Sequence, residues 1–374
     1  MAEITPFQPA FEEAEIDELR ARLRATRWPE RETVDGWDQG VPLDHAQQLS
    51  TYWAEHYDFA AAQRRLDAHP HYRTTIDGIG IHFVHARSPH AAALPIVLTH
   101  GWPGSFVEFL DVVGPLTHPA DPADAFHVVV PSLPGYGWSD KPASTGWGIE
   151  RIVDAWDELM RRLGYERYGA QGGDWGAMVT TGLAQRFPER VAGIHLNLAI
   201  VAMESVPMDD LTDDEVAGLE SIARHVRFGR AYSEQQSTRP QTLGYGLTDS
   251  PVAQLAWIAE KYWAWTDCDG DPERAVTKEQ MLDNISVYWF TATATSSARL
   301  YWESLGSVNR EPVDAPTGLS MFPRDMLPVS QRWAETRFRD IRWFNRLPRG
   351  GHFPAVECPD VFVDEVRNFF RLVR

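Results

Sequence analysis

The segment Gly172-Gly173-Asp174-Trp175-Gly176 says most about the architecture of this chain. It follows a predicted strand, Tyr168–Gln171, and precedes a predicted helix, Ala177–Arg186. Small residues two positions before and after a reactive side chain are typical of a strand–turn–helix bend in which any Cβ would clash. Such a bend lifts the central carboxylate above the edge of the sheet. The alternative is a Gly-rich loop in which Asp174 caps the following helix.

Strands and helices alternate on both sides of this bend. Two further helices are predicted among the strands, Gly148–Leu163 and Asp360–Leu372. The predicted strands are His71–Ile76, Ile79–Ala86, Pro95–Thr99, Phe126–Val130, Val191–Leu196, Thr317–Phe322 and Ile341–Leu347. The first two form a hairpin, and the later alternation is typical of an α/β fold, a mostly parallel sheet with helices on both faces.

Two regions are predicted to contain helices alone. Amphipathic helices at Glu12–Arg24 and Asp44–Leu66 open the chain, and Val252–Trp265 and Gln280–Thr291 belong to an aromatic-rich helical insertion that looks like a cap. The predicted parts are an N-terminal helical extension at residues 1–70, the first part of the α/β core at 71–201, a helical cap at 202–310 and the second part of the core at 311–374.

A second Gly-rich motif, His100-Gly101-Trp102-Pro103-Gly104, follows an early strand. The α/β-hydrolase fold places half of its oxyanion hole there. One backbone N–H would come from Trp102 and the other from Trp175, the residue after Asp174, which is the predicted nucleophile. Pro103 has no N–H, and a cis Trp102–Pro103 bond is compatible with so tight a turn. The alternative is a plain strand-ending turn.

A histidine and an acid complete the predicted site. His352, in Arg349-Gly350-Gly351-His352-Phe353, lies after the last strand, where this fold places its base, although a lone histidine is more often structural. Asp325 follows the strand Thr317–Phe322 and would orient the imidazole. Glu204, after an earlier strand, is the rival acid. Two other carboxylates are expected to be solvated at the surface: Asp314 and Glu357.

An aspartate at the bend selects the class of substrate. Attack of Asp174 on a carbonyl would give an anhydride, whereas attack on an sp³ carbon gives an alkyl ester that water can hydrolyse. Epoxides and alkyl halides both fit. An epoxide oxygen leaves as an alkoxide and needs a neutral proton donor such as tyrosine, whereas halide needs only N–H donors such as the Trp175 indole.

The predicted cap offers five tyrosines as proton donors, most of which are expected to be packing residues. They are Tyr232, Tyr245, Tyr262, Tyr288 and Tyr301.

The three motifs together resemble those of the microsomal-type epoxide hydrolases. Arg27-Trp28-Pro29 resembles the end of the first helix in that family's N-terminal domain, which haloalkane dehalogenases lack. Gln236–Thr242 and Asp249-Ser250-Pro251 also look like its cap. The resemblance implies an epoxide hydrolase in which Tyr232 and Tyr301 open the ring and Asp325 is the acid.

One departure separates this chain from the mammalian members, which carry an N-terminal membrane anchor and a glutamate at the acid position. Here no anchor is expected and the acid is Asp325, so the chain resembles the soluble bacterial branch. A haloalkane dehalogenase remains one alternative, and a hydrolase-fold binding protein without catalysis another. The binding protein would not need a nucleophile, a base, an acid and two tyrosines.

The composition of the chain limits the kinds of partner that it can bind and the compartment in which it is expected. Net charge is −18, from 53 acidic and 35 basic residues, and an acidic surface disfavours nucleic acid and anionic membranes. Cys268 and Cys358 are expected to be free thiols in a reducing compartment. The start, Met1–Pro6, shows no signal segment, so a cytoplasmic location is expected. We expect no cofactor and no metal. The expected reactants are an epoxide and water. The sequence leaves the oligomeric state open, and a homodimer is one possibility.

Overall fold

The computed structural model describes residues 3–374. The expectation that the chain has no signal segment rests partly on Met1 and Ala2, which lie outside the described residues. Within those residues the chain forms one nine-stranded sheet in the order β1-β2-β3-β5-β4-β6-β7-β8-β9. The strands are β1 Thr5–Phe7, β2 His71–Ile76, β3 Ile79–Ala86, β4 Leu94–Thr99, β5 Phe126–Pro131, β6 Tyr168–Gly172, β7 Val191–Leu196, β8 Val313–Met321 and β9 Phe338–Arg346.

The helices cover both faces of the sheet and one of its ends. The α-helices are α1 Glu13–Arg24, α2 Leu43–Glu55, α3 Phe59–Leu66, α4 Leu110–Thr117, α5 Ile149–Arg162, α6 Asp174–Arg186, α7 Asp213–Arg224, α8 Ala231–Thr238, α9 Pro240–Asp249, α10 Pro251–Trp265, α11 Lys278–Phe290, α12 Ala294–Ser304, α13 Gln331–Ala334, α14 Pro354–Glu357 and α15 Pro359–Phe370. Between β7 and β8 every α-helix, α7 to α12, lies in the predicted cap region.

The predicted α/β-hydrolase architecture is confirmed. Strands β1, β2, β3 and β5 pair antiparallel, whereas β5, β4, β6, β7, β8 and β9 pair parallel. The chain runs from β4 to β5 on one side and then crosses to β6 on the other side of β4. Ligands of open α/β sheets bind beyond the carboxyl ends of the strands at such a switch point, and both Gly-rich motifs follow these strand ends.

Two details of the N-terminal region differ from prediction. The helix expected at Asp44–Leu66 is two helices, because Asp58 accepts the N–H of Ala61 at 2.9 Å and starts α3 as its N-cap. The extension is also not purely helical, since β1 pairs antiparallel with β2. The predicted bounds of the four parts remain a prediction.

Apolar side chains bury both faces of the sheet. Helices α5 and α6 cover one face with residues such as Trp156 and Leu183, and α4 and α15 cover the other with Val112 and Phe369. All four side chains are fully buried. Across residues 3–374, no helix combines the length and apolar character needed to cross a bilayer.

The N-terminal helices pack on the cap. Trp53 of α2 donates its indole N–H to Ser286 Oγ of α11 at 3.0 Å. Arg65 of α3 donates to Asp283 Oδ2 of the same cap helix at 2.6 Å. The N-terminal region therefore supports the outer side of the cap.

Candidate active site

The bend between β6 and α6 has the steric character that its glycines predict. A Cβ on Gly176 would lie 1.8 Å from the carbonyl oxygen of Thr99, and a Cβ on Gly172 would lie 2.2 Å from the carbonyl oxygen of Gly176. Both positions therefore exclude any side chain. Asp174 sits between them with φ of +50°, a left-handed conformation that aspartate and asparagine tolerate better than most residues. The backbone holds Asp174 in a strained, outward position.

The loop after β4 meets Asp174 directly. The backbone N–H of Trp102 donates to Asp174 Oδ1 at 2.9 Å, and the Trp102–Pro103 bond is cis, as predicted. Gly101 is needed here, because its Cβ would lie 2.3 Å from Asp174 Oδ1. The Trp102 N–H thus lies beside the predicted nucleophile, and its role in an oxyanion hole remains a prediction. The role of the Trp175 N–H remains a prediction.

The side chain of His100 stabilises this loop through hydrogen bonds. The side chain is fully buried, and desolvation lowers its pKa to about 4, so the ring is neutral. Its Nε2 accepts the N–H of Leu133 at 3.1 Å, which leaves the proton on Nδ1, 3.0 Å from the carbonyl oxygen of Gly101. This fixed neutral tautomer holds the turn that presents Trp102.

The structure places Asp325, and not Glu204, against the histidine. His352 Nδ1 lies 2.8 Å from Asp325 Oδ1, and His352 Nε2 lies 3.5 Å from Asp174 Oδ2. Glu204 instead pairs with Arg310 at 3.4 Å on the surface, with 70% of its side chain exposed. The imidazole therefore bridges two carboxylates, which is the arrangement that a nucleophile–histidine–acid triad requires.

The charge state of His352 follows from these neighbours. Burial alone would lower its pKa, but the Coulombic field of Asp325 and the hydrogen bonds that the ring donates to Asp174 and Asp325 outweigh burial and raise the pKa to about 10. The free site therefore holds an imidazolium between two carboxylates near neutral pH.

The end of cap helix α10 anchors the histidine loop. The backbone N–H of His352 donates to the carbonyl oxygen of Trp265 at 2.8 Å, and a Cβ on Gly351 would lie 2.3 Å from that same oxygen. The Trp265 ring also contacts the imidazole edge-on, with centroids 5.1 Å apart. The glycine before the base therefore permits close contact between cap and core.

Two cap tyrosines converge on the oxyanion-hole loop. Tyr232 of α8 stacks on the Trp102 ring with centroids 4.9 Å apart, and Tyr301 of α12 contacts the same ring edge-on at 6.0 Å. Tyr301 also lies 4.8 Å from the ring of Trp175. Within residues 3–374 the buried Tyr301 hydroxyl makes no hydrogen bond of good geometry, although it interacts with the Tyr232 hydroxyl. A pair of buried hydroxyl donors of this kind suits a substrate oxygen.

The other three cap tyrosines are placed elsewhere. Tyr245 is 71% exposed, Tyr288 donates its hydroxyl to the carbonyl oxygen of Gly104 at 2.8 Å, and Tyr262 packs on Phe353 with centroids 4.9 Å apart. They contribute surface and packing, as most cap aromatics were expected to do.

Of the two carboxylates expected at the surface, one is there and one is not. Asp314 pairs with Arg339 in solvent. The expectation for Glu357 is wrong: its carboxylate accepts the N–H of Asp267 at 2.8 Å and that of Phe353 at 3.0 Å, and desolvation raises its pKa to about 7. The reason is that α10 and the histidine loop close over it, which local sequence does not reveal.

Sequence reasoning also missed a buried cation beside Tyr232. Lys261 of α10 is 3% exposed, and its Nζ lies 4.6 Å from the centroid of the Tyr232 ring and 2.9 Å from Glu260 Oε2. The spacing of Trp257, Lys261 and Trp265 along one face of the helix was the available signal. Among residues 3–374 no cluster of three His, Cys, Asp or Glu side chains could hold a metal ion, and absence of a cofactor stays a prediction.

Comparison with known proteins identifies the family and the fold of this chain. A family described as "Epoxide hydrolase N terminus" matches residues 4–109, and one described as "alpha/beta hydrolase fold" matches residues 95–231. A putative epoxide hydrolase of Stigmatella aurantiaca is 51% identical, over 99% of this chain and 86% of the relative. Epoxide hydrolase 1 of Oryctolagus cuniculus is 31% identical, over 99% of this chain and 89% of the relative.

Solved structures give the same result. Juvenile hormone epoxide hydrolase from Bombyx mori superposes with a TM-score of 0.93 at 30% identity, over 100% of this chain and 96% of the other. The epoxide hydrolase of Aspergillus niger gives 0.92 at 32% identity, over 100% and 97%. Sequence and structure agree over nearly the full length, and the chain belongs to the microsomal-type epoxide hydrolase family.

Proposed function

We propose that this chain hydrolyses epoxides to vicinal diols through a covalent ester on Asp174. The observation that carries the proposal is the strained carboxylate whose Oδ1 accepts the Trp102 N–H while its Oδ2 faces His352 at 3.5 Å. A carboxylate in this position can attack an sp³ carbon and later be regenerated by water. The relatives named as epoxide hydrolases support the same substrate class.

In the first half-reaction, a carboxylate oxygen of Asp174 bonds to an epoxide carbon and the ring C–O bond breaks. The ring oxygen takes a proton from Tyr232 or Tyr301. Burial raises the pKa of both tyrosines well above 10, with the Asp174 charge adding to the effect, so both remain protonated near neutral pH. They therefore act as neutral donors that stabilise the alkoxide only as it develops.

In the second half-reaction, His352 removes a proton from water, and the hydroxide adds to the carboxyl carbon of the ester. Esterification removes the negative charge of Asp174, one of the groups that raise the pKa of His352. The imidazolium can then give its proton to the tyrosinate that ring opening leaves, which restores the tyrosine and frees the imidazole to serve as a base. The Trp102 N–H stabilises the oxyanion, with the Trp175 N–H as its proposed partner. The tetrahedral intermediate collapses, the acyl C–O bond breaks, and the leaving alkoxide takes the second hydrogen of the added water, which gives the diol and the Asp174 carboxylate.

The aromatic surroundings suggest the kind of epoxide. One cluster of aromatic ring contacts includes Trp175, the residue after Asp174, together with Trp102, Tyr232, Trp265 and Tyr301. Aromatic surfaces of this kind favour an apolar, aryl-bearing substrate. This supports a role in breakdown of aromatic hydrocarbons or detoxification.

We also propose a cytoplasmic location and a homodimeric assembly. The described cysteines, Cys268 and Cys358, are both buried and free, which fits a reducing cytoplasm. A two-fold symmetric homodimer is the commonest arrangement among soluble oligomers. Light scattering on the purified chain measures it.

A single turnover in heavy-oxygen water tests the covalent mechanism. With unlabelled enzyme in excess over styrene oxide, the first diol should carry an oxygen from Asp174 and no solvent label. Enzyme cycled first in heavy water and then returned to ordinary water should release labelled diol. Solvent oxygen in the first diol would overturn the proposal, and halide release from a bromoalkane without diol formation from styrene oxide would favour the dehalogenase alternative.

The variant His352→Gln separates the two half-reactions. It should still form the ester, seen as a mass increase equal to one substrate on Asp174, but should hydrolyse it very slowly because no base activates the water. The double variant Asp174→Asn/His352→Gln is the control and should show no mass increase.

A further inference from the structure

A cavity of about 450 Å³ lies where the cap joins the core, apart from the candidate active site. Its walls come from α5, α6, the carboxyl end of α12 and the segment that leads from the cap back to β8. Neither Asp174 nor His352 lines it. Cavities of about 300–1,000 Å³ hold small molecules, so this one is large enough for a ligand of its own.

Arg337 is the buried cation of this cavity, with 5% of the residue exposed. Its guanidinium donates to the carbonyl oxygens of Ile200 at 2.7 Å, Asn309 at 2.7 Å and Glu311 at 3.2 Å. Ile200 precedes the predicted cap, and Asn309 and Glu311 lie at its end. The side chain therefore holds both connections between the cap and the core.

The positive charge of Arg337 is not balanced by a carboxylate. Its hydrogen-bond partners within residues 3–374 are carbonyl oxygens alone, and burial with a neighbouring arginine lowers its pKa only to about 10, so it stays charged. Of its five N–H donors, two remain for a further acceptor. The other arginines of the lining already have acidic partners, Asp77 for Arg151 and Asp154 for Arg186. Because a buried charge without a counter-charge is costly, an anionic ligand would stabilise Arg337.

The rest of the lining limits the kind of anion. Two glutamates contribute negative charge: Glu150 is exposed, and Glu303 accepts the backbone N–H of Gly146 at 3.0 Å. They would repel a dianion such as a phosphate monoester more strongly than a monoanion. Four apolar side chains favour a hydrocarbon group, and they are Ile149, Val153, Met178 and Val308. A monocarboxylate with an apolar tail fits both features.

We propose that this cavity is a second ligand site, which binds a small monocarboxylate with its charged end on Arg337 and its apolar tail between α5 and α6. The site lies outside the proposed catalytic machinery and does not depend on the proposed reaction. Its ligand would contact the side chain that holds both connections of the cap. It would also contact α6, which begins at Asp174, and α12, which carries Tyr301.

Methyl NMR of Met178 tests occupancy of the cavity itself. Met178 is half-buried in the lining, so its methyl resonance, assigned by its loss in Met178→Leu, reports binding without any measurement of activity. Octanoate should shift this resonance saturably. Octanol, with the same tail but no charge, should bind roughly 10- to 100-fold more weakly, the effect of a lost charge-assisted hydrogen bond. The methyl of Met281, buried in α11 outside the lining, is the reference and should not shift.

Two results of this titration would overturn the proposal. A Met178 resonance that octanoate leaves unmoved would show that the cavity does not take the ligand. Equal affinity for octanoate and octanol would show that the cavity does not recognise a carboxylate.

A charge series at Ser307 tests recognition of the anion without touching buried groups. Ser307 is exposed and lines the cavity, so substitutions there should keep the fold. Ser307→Lys should tighten octanoate binding and Ser307→Glu should weaken it, each by about 2- to 5-fold, the range of an exposed ion pair. The same two substitutions at Thr51, an exposed residue of α2 outside the lining, are the matched controls and should leave the affinity unchanged. Equal octanoate affinities in the two Ser307 variants would contradict the proposal.

The variant Arg337→Met tests the cation directly. It keeps an unbranched buried side chain and removes the charge, and should weaken octanoate binding at least roughly 10-fold. Because it also loses three hydrogen bonds to the cap connections, an unchanged Met281 methyl resonance serves as the check of folding. A folded Arg337→Met protein that binds octanoate as tightly as wild type would refute the site. If this variant does not fold, the Ser307 series decides.

Discussion

The bend around Asp174 and the tyrosine-bearing part of the cap are built in different ways. At the bend, the backbone itself excludes side chains, since a Cβ on Gly172 would lie 2.2 Å from the carbonyl oxygen of Gly176, four residues further along the chain. In the cap, Tyr232 and Tyr301 come from α8 and α12 and meet only because both pack on Trp102. The first region is specified locally, and the second depends on contacts between residues far apart in sequence.

This difference assigns different tolerances to the two regions. A locally specified bend permits almost no substitution but keeps its geometry without help from the cap. A site assembled by packing tolerates single substitutions, and each substitution changes the reaction rate only partly. Substitution of the nucleophile should therefore abolish turnover, whereas substitution of either proton donor alone should reduce the rate only partly.

The largest effect is expected at the bend. Asp174→Asn should lower turnover by at least roughly 10⁴-fold, because the amide is not a nucleophile. Asparagine also tolerates the φ of +50° at this position, so the fold should be kept. Diol formation and thermal melting measure the two properties. A fully active Asp174→Asn protein with an unchanged melting temperature would rule out the covalent mechanism.

The cap should show the graded response. Tyr232→Phe and Tyr301→Phe should each slow alkylation by about 10-fold or more, and the double variant by about 10²- to 10⁴-fold, the range for a lost general acid. Pre-steady-state ester formation measures this, and exposed Tyr245→Phe is the control. Unchanged alkylation in the double variant would remove the tyrosines from the mechanism and leave the cap with a packing role only.

The same difference explains how much could be predicted from the sequence. Strands β2, β3 and β7 lie where predicted, because hydrophobic pattern and turn residues specify them locally. The bend was found through glycines with a steric reason, and the oxyanion-hole loop and the histidine loop were found through their positions after strands of the fold. The break between α2 and α3 was missed, although Asp58 is a local N-cap signal, because the apolar stripe continues across it.

Residues whose setting depends on distant contacts could not be placed in this way. Asp325 and Glu204 both follow strands, and only the packed loops show which one reaches His352. Glu357 was misplaced because its partners Asp267 and Phe353 come from two loops. Tyrosine roles came only from the family resemblance, since the spacing of cap aromatics does not distinguish donors from packing residues.

The charge of His352 provides a test of the core side of the site. Its pKa, about 10 in the free protein, should fall towards its ordinary value near 6.5 in Asp174→Asn, which mimics the neutral ester, and should also fall in Asp325→Asn. NMR titration of the imidazole measures the shift. An unchanged pKa in Asp174→Asn would contradict the proposal that ester formation releases the base.

The same shift predicts a dependence of stability on pH. Because the folded-state pKa of His352 lies above the unfolded value, its contribution is complete below about pH 6.5 and is lost as pH rises towards 10. Wild type should therefore lose more unfolding free energy over that window than Asp174→Asn, in which the folded pKa is lower. Urea titrations at both ends of the window test this, and equal losses would contradict it.

The smallest effect is expected at Lys261, where the cap tunes a tyrosine without supplying a proton. Its Nζ lies 4.6 Å from the centre of the Tyr232 ring, so it should stabilise the phenolate that forms when the hydroxyl gives up its proton. Lys261→Met keeps the buried stem and removes the charge, and should slow alkylation about 2- to 30-fold, the rate equivalent of a cation–π contact. Lys278→Met, which removes a cation 5.5 Å from Tyr52 in the N-terminal region, is the matched control and should not change the rate. Equal rates in both variants would mean that Lys261 only fills space, and that packing alone, without charge, determines the reactivity of the cap.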